Sequence, residues 1–498
     1  MLHYKKKSSG LVLIVHYIGA VAIVIGCILL VPLIMLIPFP QEIGEAKYFI
    51  IPGTLCIAAG YFLFHMREEK YKWKNYKNKE NIIVTLAWIM VILLSSVPFV
   101  LTGKYNFTQA IFECTSGYST TGLSVVDVAK TSHIFLFFRS VMLFVGGIGL
   151  VLVVITVLSD RYGMKLFEAE GHSDKMVPNL LQSARVIFLI YSGYIAGGTV
   201  LYIAFGMNWF DAVNHAVAAI STGGFSTQAE SIGYYHNTGI EVVTIVLMFL
   251  GGTNFMVHLA LLKGKFRKVY TDCEFRFSLF VYPLSAVLLA VLAGYPAAKN
   301  MSEGVRMGLF QAVSAMSTTG FQTVDSFKSW SSPMIFIMIM LMMIGGGAGS
   351  TAGGIKQYRV SIAVKEIFWN LRKKIGNKRT IVPEKITRCG EPIEVDGQLY
   401  RSNMDFIFLY IIFMGIGTMI FTCFGYSVQD SMFEMASSLS TVGLSMGITG
   451  YDAHPLILWT STIGMFLGRL EIYIVFITAA RACIGIKNKL KHTLSTVV

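Results

Sequence analysis

Four short stretches of this 498-residue chain share one pattern, Ser-Thr-x-Gly followed by a large apolar residue. They are Ser119-Thr120-Thr121-Gly122-Leu123, Ser221-Thr222-Gly223-Gly224-Phe225, Ser317-Thr318-Thr319-Gly320-Phe321 and Ser440-Thr441-Val442-Gly443-Leu444. Successive glycines are 102, 96 and 123 residues apart, so the repeating unit is a whole helical hairpin, far longer than a solenoid repeat. The chemistry open to such a loop is cation coordination by backbone oxygens. Glycine adopts φ > 0 cheaply, which lets successive carbonyls face one way and replace an ion's water shell. No carboxylate ring is required.

These loops need elements to carry them. Four residues before each Thr stand Ser116, Ala218, Ser314 and Ser437, and three before stand Gly117, Ala219, Ala315 and Ser438. Residues this small let a short helix pack closely against its neighbours. In the second copy Asp211 is placed to cap a helix running on through Ala212–Ile220. About ten helical residues span roughly 15 Å, half a membrane, so the chain must enter and turn back. Asp430 is expected to cap the fourth such helix, Ser302 the third, and Asn106 or Thr108 the first. Non-helical backbone at membrane depth is tolerated only where protein buries it or it lines a water-filled path. Four such loops, with helix C-termini pointing partial negative charge at them, fit a ring around a cation pore.

Composition agrees with a membrane setting. The chain is 54% apolar and 14% charged, with a mean hydropathy of +0.62. Blocks long enough to cross a bilayer lie at roughly 11–38, 48–65, 81–102, 133–158, 184–206, 239–262, 277–297, 332–355, 404–425 and 455–484. The expected fold is therefore an all-α polytopic membrane protein of ten spans. A two-span hairpin (1–80) precedes four span–short helix–span repeats (81–180, 181–274, 275–402 and 403–498). The net charge of +13 concentrates at Lys5–Lys7, Arg67–Lys79, Lys263–Lys268, Lys356–Arg379 and Lys487–Lys491. With ten spans all of these fall on one side, as the positive-inside rule requires, and both termini are cytoplasmic. Basic charge here records topology, not a nucleic-acid partner. The seven cysteines are scattered without C-x-x-C spacing, so no disulfide or zinc site is assigned. The N-terminal apolar run is too long for a cleaved signal peptide and reads as a retained span.

The loops resemble degenerate versions of the T-V-G-Y-G filter of potassium channels, four in one chain rather than in four subunits. That arrangement is similar to the Trk/Ktr/HKT superfamily of potassium transport proteins, and the extra N-terminal hairpin to its bacterial Trk type. Further matches are Gly146-Gly147-Ile148-Gly149, Gly345 through Arg359, and Gly468-Arg469-Leu470-Glu471. The resemblance implies that K⁺, the transported ion, meets Thr120, Thr121 and Gly122, then Thr222, Gly223 and Gly224, Thr318, Thr319 and Gly320, and Thr441, Val442 and Gly443. It also implies a bacterial inner-membrane homodimer with one pore per protomer, and no bound cofactor. A cytosolic nucleotide-binding regulatory subunit (TrkA-like) would dock in part on Glu366–Asn403, where Pro383–Gly397 reads as an exposed hairpin. Ser124, Ser226, Gln322 and Ser445 replace the second filter glycine, which implies looser selectivity. In plant relatives a serine at the first filter glycine accompanies sodium transport. All four first positions are glycine here, which favours potassium.

Two stretches could obstruct such a pore. Gly345, Gly346, Gly347, Gly349, Gly353 and Gly354 crowd one span, and each costs about 1 kcal/mol relative to alanine in a helix. A dinucleotide-binding loop would follow a strand, and this one follows the apolar Met334–Ile344. Tight helix packing is the plainer reading, and the resemblance implies an intramembrane gate. Arg469 lies within the tenth span, where a charge is costly unless it meets water or a partner. A structural salt bridge with Glu471 is one reading. The resemblance implies instead a positive barrier in the pore.

The ten histidines show no metal-ligand spacing and no nucleophile set stands out, so no enzyme is expected. The rival readings are a sodium-conducting or Na/K-symporting member of the same superfamily, and a secondary transporter of a small organic solute. The latter would carry ionisable residues or broken helices at its substrate site rather than Ser-Thr-x-Gly loops.

Overall fold

The computed structural model describes residues 10–65, 80–149, 180–293, 301–375 and 384–480. Most of the basic clusters that set the expected topology, and the ends of the fourth and tenth spans, lie outside the described residues. The chain divides into two units, Met1–Ala110 with Gly149–Ser173 and Leu470–Val498, and Ile111–Ile148 with Asp174–Arg469.

In the first unit, α1 (Gly10–Leu30), α2 (Lys47–His65) and α3 (Glu80–Leu101) pack together. The α1–α2 pair is close because glycine faces glycine. A Cβ on Gly19 would overlap the Gly60 carbonyl, and one on Gly26 the Gly53 carbonyl. Small residues give such contact without side-chain entropy loss, and bilayers favour it. The far face of α2 exposes Ile51, Leu55, Tyr61 and Phe62, as a lipid-facing surface does.

The second unit holds the repeated loops. Its helices begin with the larger part of α4 (Phe107–Tyr118), then α5 (His133–Ile148), α6 (Leu180–Ala204) and α7 (Trp209–Ile220). Next come α8 (Thr238–Gly251), α9 (Phe255–Leu262), α10 (Phe266–Thr271), α11 (Cys273–Leu292), α12 (Met301–Met316), α13 (Ser332–Ile344) and α14 (Gln357–Ile375). An antiparallel hairpin of β1 (Lys385–Arg388) and β2 (Glu391–Glu394) precedes α15 (Gly397–Cys423), α16 (Val428–Leu439) and α17 (Pro455–Arg469). Helix α18 (Ile472–Ala480) returns to the first unit.

Among the described residues, six helices are long and apolar enough to cross a membrane, and eight spans result if each broken pair counts as one. Two shorter apolar helices, α5 and α13, lie within the blocks 133–158 and 332–355. The sixth expected span is not straight. It bends by 107° between α8 and α9, at Gly252-Thr253-Asn254, where Asn254 caps α9.

Four short helices, α4, α7, α12 and α16, precede the four Ser-Thr-x-Gly loops, at 12, 12, 16 and 12 residues. Their caps differ in part from expectation. Asn106 does open α4, its side chain accepting from Gln109 N while Gln109 answers Asn106 N. Asn208, not Asp211, caps α7, because Asp211 already lies in the first turn and accepts instead from Thr227 and Tyr235. Ser427, not Asp430, caps α16, accepting from Asp430 N. Ser302 lies inside α12 rather than before it.

Candidate ion-conduction site

The loop after each short helix folds back on it. The x residue of each Ser-Thr-x-Gly donates its N–H to the carbonyl of the small residue five positions earlier. These bonds are Thr121 to Ser116 at 2.8 Å, Gly223 to Ala218 at 2.9 Å, Thr319 to Ser314 at 3.0 Å and Val442 to Ser437 at 2.8 Å. Gly122 N and Gly443 N each donate at 3.0 Å to the hydroxyls of those same serines. The N–H groups are thus spent on the helix ends, and the carbonyl oxygens remain to face elsewhere.

Gly122, Gly224, Gly320 and Gly443 all have positive φ, as the sequence predicts. The threonines two places earlier do as well, at φ 57, 52, 56 and 55° for Thr120, Thr222, Thr318 and Thr441. A β-branched residue pays about 1–3 kcal/mol in this region, so four of them mark a geometry held by its surroundings.

The four loops close on one another. A Cβ on Gly122 would overlap the carbonyl oxygen of Gly223, one on Gly224 that of Thr319, one on Gly320 that of Val442, and one on Gly443 that of Thr121. First touches second, second third, third fourth, and fourth first. Only glycine leaves room for this ring.

On the glycine side the ring opens into a cavity of about 490 Å³ lined by all four glycines, Ser124, Ser226, Gln322 and Ser445. Asp127, Asp325, Arg139 and Lys328 also line it. Lys130, 2.9 Å from Asp127, holds that carboxyl below its ordinary range.

On the threonine side the ring has a floor. Helix α13 stops at Ile344 and α14 starts at Gln357, so the glycine-rich stretch is a loop between them, with Gly345, Gly349 and Gly354 at positive φ. Thr351 Oγ1 lies 3.0 Å from Thr222 Oγ1, and Gly353 N donates to Thr318 Oγ1 at 2.9 Å. A Cβ on Gly353 would overlap Thr441 Oγ1. Arg469 Nη1 lies 3.5 Å from Thr120 Oγ1 and donates to Thr351 O at 2.7 Å, while Nη2 donates to Gly146 O. All four ring threonines are therefore met from one side by the loop or the arginine. The arginine ends α17 rather than sitting mid-helix.

The broken sixth span and α11 anchor this floor. Gly347 N donates to Gly252 O at 2.9 Å, Phe255 N to Gly349 O at 3.1 Å, and Asn254 Nδ2 to Ala348 O. Ala348 N donates to Glu274 Oε1 at 2.7 Å, and Tyr358 N to the same oxygen at 3.1 Å. Within the loop stretch, Gly346 packs against Ala352 and Gly252, Gly347 against Gly252 and Asn254, and Gly354 against Gly345. Sequence reasoning missed Asn254, Glu274 and Thr351. Gly251-Gly252-Thr253-Asn254 carried a signal, two glycines and a capping residue inside an apolar run.

Comparison with known proteins follows the same lines. The family model for TrkH, described as cation transport protein, matches residues 45–483. The chain is similar to an uncharacterized cation transporter of Methanocaldococcus jannaschii, 29% identical over 482 residues and 96% of each chain. It is also similar to the Trk system potassium uptake protein TrkG of Escherichia coli, 29% identical over 409 residues, covering 80% of this chain and 83% of that one. Its fold matches the crystal structure of the potassium transporter TrkH from Vibrio parahaemolyticus with a TM-score of 0.79, at 24% identity, over 92% of this chain and 98% of that one.

Proposed function

The chain belongs to the TrkH family of cation transport proteins, multi-pass membrane transporters rather than enzymes, and on that premise we propose that it takes up potassium ions through a channel-like pore at the four-loop ring. The observation that carries this reading is the cyclic contact of Gly122, Gly224, Gly320 and Gly443 with their neighbours' carbonyls. Four loops so joined set oxygens at fixed spacing around one axis, which is what replacing an ion's hydration shell demands. Thr120, Thr121, Gly122, Thr222, Gly223, Gly224, Thr318, Thr319, Gly320, Thr441, Val442 and Gly443 form the filter. Ten spans carry it, in four repeats bounded near 81, 181, 275 and 403, behind an N-terminal two-span hairpin.

The loop 345–354 and Arg469 form the gate. Their contacts with Thr120, Thr222 and Thr318, on the threonine side of the ring, support this reading. The naming of the Escherichia coli relative as a potassium uptake protein supports K⁺ over other cations. A sodium-conducting or Na/K-symporting protein remains the alternative, since Ser124, Ser226, Gln322 and Ser445 stand where a second glycine would add another carbonyl ring. The protein acts as a homodimer in a bacterial inner membrane with both termini cytoplasmic. A cytosolic nucleotide-binding subunit docks near the β1–β2 hairpin. Growth of cells lacking their own potassium uptake, with the chain expressed and K⁺ or Na⁺ limiting, tests the reading. Rescue by K⁺ supports it, and rescue by Na⁺ alone replaces it with the alternative.

A further inference from the structure

Nine positions before each filter glycine stand Glu113, His215, Gln311 and Glu434. All four are fully buried in the short helices, where a polar side chain must find a partner. Each reaches the strand leaving the filter. Glu113 accepts from Ser124 Oγ and Val125 N, both at 3.0 Å. His215 Nε2 lies 2.9 Å from Ser226 Oγ, and Gln311 Nε2 donates to Thr323 Oγ1 at 3.4 Å. Glu434 accepts from Ser445 Oγ at 2.8 Å, Met446 N at 2.8 Å, Thr449 N at 3.1 Å and Thr449 Oγ1.

The partners are not arbitrary. Ser124, Ser226 and Ser445 stand two places after the glycine, where the second filter glycine is missing. Each serine hydroxyl, held by the helix, also accepts the N–H two residues on: Val126 at 3.0 Å, Gln228 at 2.9 Å and Gly447 at 2.8 Å. The device is the same in three loops. Arg139 then joins two of them. Its Nε pairs with Glu113 at 2.8 Å, Nη2 donates to Ser124 Oγ at 3.1 Å, Nη1 donates to Ser226 O at 3.1 Å, and its guanidinium lies over the Phe225 ring.

We propose that Glu113, His215 and Glu434, with Gln311 holding the neighbouring Thr323, fix the outer end of the filter in place of its missing second glycine, and so set how well the pore discriminates K⁺ from Na⁺. The proposal rests on the filter reading above. The four are positioning residues, since they act through the strand and not on the ion. A filter whose outer carbonyls are held by helix-anchored serines can keep its spacing without a second glycine. Freed of that anchor, the strand relaxes and a smaller ion is accommodated.

Glu434 gives the cleanest test. Its Oε1 takes three donors and Oε2 one, so in Glu434→Gln the new amide NH₂ faces a donor whichever way it is turned. Bi-ionic reversal potentials of the reconstituted full-length protein give the K⁺/Na⁺ permeability ratio. The ratio is expected to fall about threefold or more in Glu434→Gln and in Ser445→Ala, the scale of one weakened hydrogen bond. The double variant should fall no further than the worse single, because both break one linkage. If Glu434→Gln does not fold, Ser445→Ala, which removes a single half-exposed hydroxyl, decides alone. A selective wild type with unchanged ratios in the folded variants overturns this inference only. A wild type that passes K⁺ and Na⁺ equally overturns the filter reading, and this inference with it.

Discussion

Arg469 Nη1 donates to the carbonyl oxygen of Thr351 at 2.7 Å, while the Thr351 hydroxyl lies 3.0 Å from that of Thr222 in the ring. Arginine, glycine-rich loop and loop ring are thus one chain of contacts. In the proposed mechanism the two obstructions open together: moving the loop withdraws the group that orients the guanidinium.

Arg469→Ala should raise K⁺ flux, and Arg469→Lys should change it much less because the charge remains. A cation about 6 Å from that charge, at an effective dielectric constant near 20, meets a repulsion of about 3 kcal/mol. Tracer uptake per folded molecule separates this from a structural role, for which Ala would lower the folded amount and leave flux unchanged or reduced. Thr351→Val, which removes the hydroxyl bonds to Ile220 O and Gly251 O, should also raise flux. Its effect should add less than fully to that of Arg469→Ala, as expected of residues in one network.

Glu274→Ala should raise flux in the absence of any regulatory subunit. The buried side chain accepts from Ala348 N in the loop and Tyr358 N beyond it, so it pins the glycine-rich loop 345–354 at both ends. A hydrogen bond to a charged group contributes about 1.5–3 kcal/mol, enough for roughly a tenfold shift in the open fraction. Deleting Gly346 to Gly349 should act in the same direction and more strongly. Folded variants no faster than wild type would make the loop a packing device.

Much of the ring was legible in the sequence, because Ser-Thr-x-Gly at one register recurs and glycine is cheap at positive φ. That the threonines share this conformation was not. Local preference opposes it, and contacts from neighbouring loops and the glycine-rich loop hold it. The caps misled for a related reason: Asp211 and Asp430 are good capping types, yet Asn208 and Ser427 three positions earlier take that role. The break at Gly252–Asn254 hid inside an apolar block whose hydropathy alone reads as one straight span. The pairing of Glu113 with Ser124 and of Glu434 with Ser445 shows as an equal spacing, but only the fold shows that it is a contact.

Gly320→Ser should weaken discrimination against Na⁺ or prevent folding. Its φ is 86°, and a Cβ there would overlap the Val442 carbonyl. The same change at Gly397, which has open space around it, should do neither. Equal permeability ratios for folded Gly320→Ser and wild type would remove the loop from the filter.

Asp272→Ala should lower thermal stability. The buried carboxylate caps α11, accepting from Glu274 N and Phe275 N at 3.0 Å, and its other oxygen accepts from Cys389 N at 2.8 Å in the β1–β2 hairpin. Loss of a cap costs about 0.5–2 kcal/mol, and the stranded Cys389 N–H adds to that. A thermal-shift assay should show a fall in Tm. An unchanged Tm would mean that water replaces both roles.

Whether the ring of four loops selects potassium is decided by the bi-ionic reversal potential of the wild-type protein in a planar bilayer. With K⁺ on one side and Na⁺ on the other, the potential should lie toward the K⁺ equilibrium value, by about 59 mV for each tenfold preference. A potential near zero, or displaced toward Na⁺, would contradict selection of potassium.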